Sequence, residues 1–469
     1  MDWTLEEFGA SDLGDTRLSN RLSKLAKAFS QQPEKSIPES CRSWAETKAA
    51  YRFFDNEKVT SKKIFQPHID SSLMRMQGQA VILLVQDTTV LNYTGQTQRS
   101  NSGATTKNKT KGILLHPTLA ITPERLCLGV IDYEQWYRPE LANKSPIERS
   151  RLNHLRVPSD KESYRWVRSY QKAKEYATKL PNSTIVSVAD REGDLFELYQ
   201  EATAEGNSAH WLIRASYDRR LVDETGKVQY SKLIETVKLS GEKGRIQFNL
   251  STRSGKPARD IEQKIYFAEV NLSPTQRQKR RHGYEPIKTN VVIASEINVA
   301  DGEKPVEWIL LTSLSVSSLE EARKIIDWYQ CRWQIEIYFK ILKSGCKVEK
   351  LQINDDARFR PCLALYMIIA WRILYMTMLG RECPDVNCEI VFDKIEWQTA
   401  YIVLKHKKPP KDPPPLNDMI KLIASLGGFL NRSSDNNPGP SALWKGVRGL
   451  YEHVKAREAF ELVFGHTYG

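Results

Sequence analysis

Val81-Ile82-Leu83-Leu84-Val85-Gln86-Asp87-Thr88-Thr89 decides how this chain is read. Five consecutive apolar residues leave no polar face, the pattern of a strand buried on both sides. The pattern returns at Thr184 to Ala189, followed at once by Asp190-Arg191-Glu192-Gly193-Asp194. Between them lie two strand-like runs, Gly112 to Thr122 and Leu126 to Tyr133, split by a turn at Pro123-Glu124-Arg125, and a charged helical stretch from Lys161 to Leu180. The order strand, strand, strand, helix, strand predicts a mixed α/β layer with acids ending its first and fourth strands.

Working outward, residues 210–315 are strand-rich and read as a β insertion, an antiparallel layer. A long helix is expected from Ser317 to Lys343, and a buried one from Cys362 to Gly380, where Arg372 interrupts an apolar run that would otherwise suit a bilayer. The first sixty residues are helical by pattern, with Leu18, Leu22, Leu25 and Phe29 in one stripe beside Arg17, Arg21, Lys24 and Lys27. Pro409, Pro410, Pro413, Pro414 and Pro415 among lysines mark a loop or stiff linker before a helical C-terminus. These shifts give segments 1–61, 62–380 and 381–469.

The chain has 469 residues and a net charge of +12, and the two ends sum to zero, so the whole excess falls in 62–380. Within it, Ser251 to Asn290 holds 9 basic against 4 acidic side chains, including Arg277, Lys279, Arg280 and Arg281. Such clustering fits a polyanion partner through counterion release, and equally a loop kept soluble by its charges. Seven cysteines without any C-x-x-C pair argue against a disulfide framework and a zinc site. The start, Met1-Asp2-Trp3-Thr4-Leu5-Glu6-Glu7, lacks a basic and apolar leader, so a cytoplasmic protein outside the membrane is expected.

Asp87 and Asp190 follow buried strands, and if those strands are neighbours their carboxylates converge. A converging pair repels unless a cation sits between them, and hard oxygen donors select Mg²⁺ or Mn²⁺. A strand-ending turn uses aspartate equally well. The helix around residue 330 offers a third acid. At 100° per residue, Tyr329, Arg332, Glu336 and Lys343 fall within an arc of about 60°, beside an apolar face of Trp328, Ile335, Phe339 and Leu342. That polar face suits a phosphodiester, with Glu for metal and Arg, Lys and Tyr for phosphate oxygens; a salt-bridged surface has the same composition.

The spacing Tyr329-x-x-Arg332-x-x-x-Glu336-x-x-x-x-x-x-Lys343 resembles the Y-R-E-K signature of bacterial DDE transposases of the insertion-sequence-four family, in particular the transposon-five branch. Gln86-Asp87-Thr88-Thr89 and Ala189-Asp190-Arg191-Glu192-Gly193-Asp194 resemble the family's two Asp motifs. Leu13-Gly14-Asp15-Thr16-Arg17, Ala50-Tyr51-Arg52-Phe53, Trp308-Ile309-Leu310-Leu311-Thr312-Ser313 and Leu426-Gly427-Gly428-Phe429 are further matches. The resemblance implies an α/β fold with a ribonuclease-H-like core, a β insertion at about 210–315, an N-terminal DNA-binding domain (1–61), a catalytic domain (62–380) and a C-terminal dimerisation domain (381–469). It implies that Asp87, Asp190 and Glu336 hold two Mg²⁺ ions, with Mn²⁺ able to substitute. The implied pathway is nicking of transposon ends, excision through a DNA hairpin and joining of 3′-OH ends to target DNA by a homodimer. It further implies that Trp308 stacks on a flipped base, that Tyr329, Arg332 and Lys343 grip its phosphate, and that Arg214, Arg219, Arg17 and Arg21 contact DNA.

Overall fold

The computed structural model describes residues 2–41, 43–96, 103–104, 111–138, 156–204, 206–250, 258–299 and 302–465. Part of the basic stretch singled out above, residues 251–257, lies outside them. The chain divides into two compact units, one built from 1–76, 88–142 and 334–469, the other from 77–87 and 143–333.

Strands β1 (Val81–Gln86), β2 (Thr89–Asn92), β3 (Gly103–Ala104), β4 (Lys111–Ile121) and β5 (Cys127–Trp136) come first; the helix Arg165–Lys179 precedes β6 (Thr184–Ala189) and β7 (His210–Arg214). Then follow β8 (Arg220–Val222), β9 (Val228–Lys232), β10 (Gly244–Leu250), β11 (Arg259–Leu272), β12 (Ile287–Ile297) and β13 (Glu307–Thr312). The expected strands and helix occur in the expected sequence as β1, β4, β5, Arg165–Lys179 and β6, but two short strands beyond those expected, β2 and β3, come between the first two; the fold is mixed α/β with helical N- and C-terminal extensions.

In the second unit β1 and β6 pair in parallel, from Val81 opposite Thr184 to Val85 opposite Val188. Ile82 through Val85 and Ile185 through Ala189 are buried, which is why both runs carry no polar alternation. β6 pairs in parallel with β7, and β7 pairs antiparallel with β13. From there β12, β11 and β10 continue antiparallel. The β insertion therefore prolongs the sheet that carries Asp87 and Asp190.

The first unit has its own β layer, with β2, β3 and β5 antiparallel to β4. Its core is the helix Asp356–Glu382, long and apolar enough to cross a membrane by length and composition, yet with 89% of its apolar window buried by protein. Arg372 on this helix is accommodated by donating to the Val391 carbonyl and lying over the Trp3 ring. The N-terminal helix Thr16–Gln31 buries Leu22, Leu25 and Phe29, as its stripe predicts. The proline-rich stretch is a loop whose end is tied back by backbone bonds from Cys388 to Pro414 and from Leu416 to Val386. The Leu426-Gly427-Gly428-Phe429 motif is a packing device. A Cβ on Gly427 would lie 2.0 Å from the Ala442 carbonyl oxygen, so the helices Leu416–Ser425 and Pro440–Phe464 approach too closely for any side chain there.

One expectation needs correction. Ser317 to Lys343 is not a single helix. Leu319–Gln330 ends at Cys331 and Arg332, a second helix runs Trp333–Lys340, and Lys343 sits in a π-helical turn, Ile341–Gly345. The amide of Arg332 bonds to the Tyr329 carbonyl, three residues back rather than four, so the uniform 100° step fails at the break. Tyr329 and Arg332 belong to one compact unit, Glu336 and Lys343 to the other.

Candidate active site

Carrying the β1–β6 register two residues past Val85 and Val188 sets Asp87 beside Asp190. Adjacent strands lie about 4.8 Å apart, and paired residues in parallel strands point the same way. The side chain of Gln86 ties the two strands together one step earlier, donating to Ser187 Oγ at 2.8 Å. The condition on which convergence of the two acids depended is met.

The two carboxylates are held differently. Asp87 is partly exposed, and its Oδ2 accepts from Arg332 Nη1 at 2.9 Å. Asp190 caps a short turn, Arg191–Gly193, and its Oδ1 accepts from the Glu192 amide at 2.8 Å. Gly193 is needed there because a Cβ would lie 2.6 Å from that of Ala189. Tyr329 is buried, and burial pushes its phenol above the usual range despite the opposing pull of Arg332 and Arg214, so it stays a neutral hydrogen-bond donor. Trp308 is only 4% exposed. Its ring stacks on Phe248 at 5.6 Å and meets Tyr329 and Trp333 at 6.4 and 6.3 Å.

The structure thus brings together Asp87, Asp190, Tyr329, Arg332 and Trp308 within one unit. Arg214, on β7, donates to the Glu307 carbonyl at 2.8 Å. Arg219 is engaged internally: its Nε donates to Asp194 Oδ1 at 3.1 Å and its Nη2 to the Asp194 carbonyl at 2.9 Å. The DNA contact expected of Arg219 therefore meets a guanidinium already committed to protein. Arg17 is 95% exposed and Arg21 half-buried on the N-terminal helix. Glu336 and Lys343 lie in the first unit, where burial lowers the Lys343 ammonium against a smaller upward pull from Glu349. The Asp194–Arg219 pair went unread because the partners sit after different strands, and only the β6–β7 pairing brings those strand ends together.

Among the described residues no three of His, Cys, Asp and Glu converge closely enough to hold a metal ion. The donor set still suits a divalent cation. Two hard carboxylates end neighbouring strands, and the guanidinium on Asp87 marks where positive charge is favoured.

Three family models match the chain. "Transposase DNA-binding" covers residues 1–59, "Transposase DDE domain" covers 188–371, and "Transposase Tn5 dimerisation domain" covers 368–461. A solved piggyBac transposase, imaged by cryo-EM as a synaptic complex with hairpin DNA, aligns at 12% identity over 84% of this chain, with a TM-score of 0.32. The chain spans 60% of that protein's length, and a likeness this slight bears no weight. The three family matches, in chain order, make this protein a bacterial DDE-motif transposase related to the Tn5 and insertion-sequence-four family, with DNA-binding, DDE and dimerisation regions.

Proposed function

We propose that this protein is a cut-and-paste transposase that binds its element's ends as a homodimer, nicks them, excises the element through a hairpin and joins the 3′-OH ends to target DNA. The observation that carries the reading is the side-by-side placement of Asp87 and Asp190 at the ends of paired parallel strands, with Arg332 on Asp87. Asp87 and Asp190, joined by Glu336 as the Y-R-E-K spacing implies, would hold Mg²⁺ or Mn²⁺, two ions per site. Such ions supply charge compensation at a phosphodiester and a lowered pKa for the attacking water.

The chain's own groups do the rest. Arg332 neutralises Asp87 while DNA is absent; a scissile phosphate draws the guanidinium onto its oxygens, leaving the carboxylate for catalysis. Tyr329, neutral and buried beside Arg332, donates to the same phosphate, and Lys343 grips the adjoining backbone. Four displacements at phosphorus follow at one site. Water releases a 3′-OH, that hydroxyl attacks the opposite strand to close a hairpin, a second water reopens it, and the 3′-OH attacks target DNA. Trp308 stacks on the base flipped out to permit the hairpin. Arg214 lies against the DNA backbone, and Arg17 and Arg21 serve the N-terminal DNA-binding region. The exposed helix Gln276–His282, with Arg277, Lys279, Arg280 and Arg281, adds salt-dependent attraction. A cytoplasmic location follows from that substrate.

The test is incubation of the full chain with a duplex of the element's end and Mg²⁺, resolving nicks, hairpins and double-strand breaks. All three are expected. Nicks without hairpins or joined products indicate a simple nuclease, and binding without Mg²⁺-dependent cleavage indicates a regulator of transposition.

A further inference from the structure

The turn that carries Asp190 is fastened by a buried network whose members no step of the reaction uses. Asp194, with a fully buried side chain, ends that turn. Its Oδ1 accepts from Tyr199 Oη at 2.6 Å and from the Arg219 guanidinium, and its Oδ2 accepts from the Ser216 amide at 2.7 Å. Ser216 Oγ in turn donates to the Arg191 carbonyl. The Asp194 carboxylate and the Ser216 hydroxyl thus bind the loop after β6 to the segment after β7 at two points, Asp194 and Arg191, the latter next to Asp190.

Arg219 completes the network. It is 12% exposed, lies 5.7 Å from the ring centres of both Tyr199 and Tyr217, and caps the Asp194 carbonyl as well as the carboxylate. A guanidinium held by a carboxylate, a carbonyl and two rings has little left for a phosphate. Removing it would leave Asp194 charged and buried without its counterion.

We propose that Asp194 and Arg219 form a clamp that fixes the turn bearing Asp190, which makes Arg219 a positioning residue for cleavage and not a DNA contact. The inference rests on the reading of Asp190 as a catalytic acid. Groups that orient a metal-binding side chain typically contribute about 10- to 100-fold in activity. A loosened ligand is tolerated better by Mn²⁺ than by Mg²⁺, which demands near-ideal octahedral geometry.

The decisive variant is Arg219→Lys, which keeps the charge but loses the fork and the flat face, with Tyr199→Phe removing a single bond to Asp194 as the milder control. Full-length protein is assayed on the end duplex for single-turnover nicking in Mg²⁺ and in Mn²⁺. Metal-free measurements give end-binding affinity with its salt dependence, and amide exchange at Arg191 to Asp194. For Arg219→Lys the clamp requires nicking in Mg²⁺ to fall about 10- to 100-fold, with substantial recovery in Mn²⁺. Exchange in the turn should rise, and end affinity with its salt slope should hold. Tyr199→Phe should shift the same quantities in the same direction by less. Weakened binding with a salt slope reduced by about one would make Arg219 a phosphate contact and overturn the clamp. Unchanged exchange and nicking in a folded Arg219→Lys protein would overturn it too. If Asp190→Ala itself nicks normally, the reading of Asp190 fails, and that failure is distinct from the clamp's.

Discussion

Asp87 and Asp190 end paired strands in equivalent places, yet one is held by a side chain and the other by the backbone. At Asp87 a partner is Arg332, which lies in a helix break and donates to the carboxylate from Nη1 at 2.9 Å. At Asp190 the carboxylate caps its own turn, and that turn is bolted down by Asp194 and Arg219 four and twenty-nine residues further on. The contrast separates two jobs. A partner that swings away lets an acid change its company when substrate arrives, whereas a fixed turn gives a geometric reference against which the other can adjust.

The harshest way to break the comparison is to delete the acids. Asp87→Ala, Asp190→Ala and Glu336→Ala should each reduce cleavage in Mg²⁺ below detection while end binding survives, measured by nicking and by gel shift on one duplex. Full cleavage by any of them removes that residue from the site.

Next in size is stability. Arg219→Ala strands the buried Asp194 carboxylate and should cost about 3–5 kcal/mol, read as a lowered denaturant midpoint. Arg332→Ala removes a guanidinium that is itself only 11% exposed, but it leaves Asp87, at 20% exposed, within reach of water, so it should cost less than Arg219→Ala. Similar losses for the two would erase the distinction between a fixed and an exchangeable partner. The order reverses in binding and catalysis: Arg332→Ala should slow nicking about 10²- to 10³-fold with the fold intact, as expected of a group aimed at developing charge.

Much of this was legible in the residues, and for identifiable reasons. Val81 to Val85 and Thr184 to Ala189 could be read as strands because a strand covered on both faces needs no polar residue. The turn beginning at Asp190 announced itself as a motif. What could not be read was pairing across distance. Asp194 finds Arg219, Tyr199 and Ser216 only because β6 and β7 run side by side, and that is a property of the sheet. Helical periodicity also concealed the break at Cys331 and Arg332. The apolar positions Trp328, Ile335, Phe339 and Leu342 are all buried, so the stripe persists on either side of a change in hydrogen bonding.

The smallest effect concerns Lys343. Burial lowers its ammonium below the usual lysine value of about 10.4, so the charge is carried into the fold at a cost. Between the folded and unfolded values the unfolded chain binds more protons, and stability therefore rises with pH across that window. Lys343→Met removes the cost and should stabilise the DNA-free protein by less than about 1 kcal/mol at neutral pH. The gain should be complete below the folded pKa and fade as pH rises toward the unfolded one. The same substitution should weaken end binding, because a phosphate oxygen would have given the charge its partner. Denaturant midpoints against pH, set beside end affinity, check both halves; a Met variant that is less stable yet binds DNA normally would mean that Lys343 serves the fold and not the phosphate.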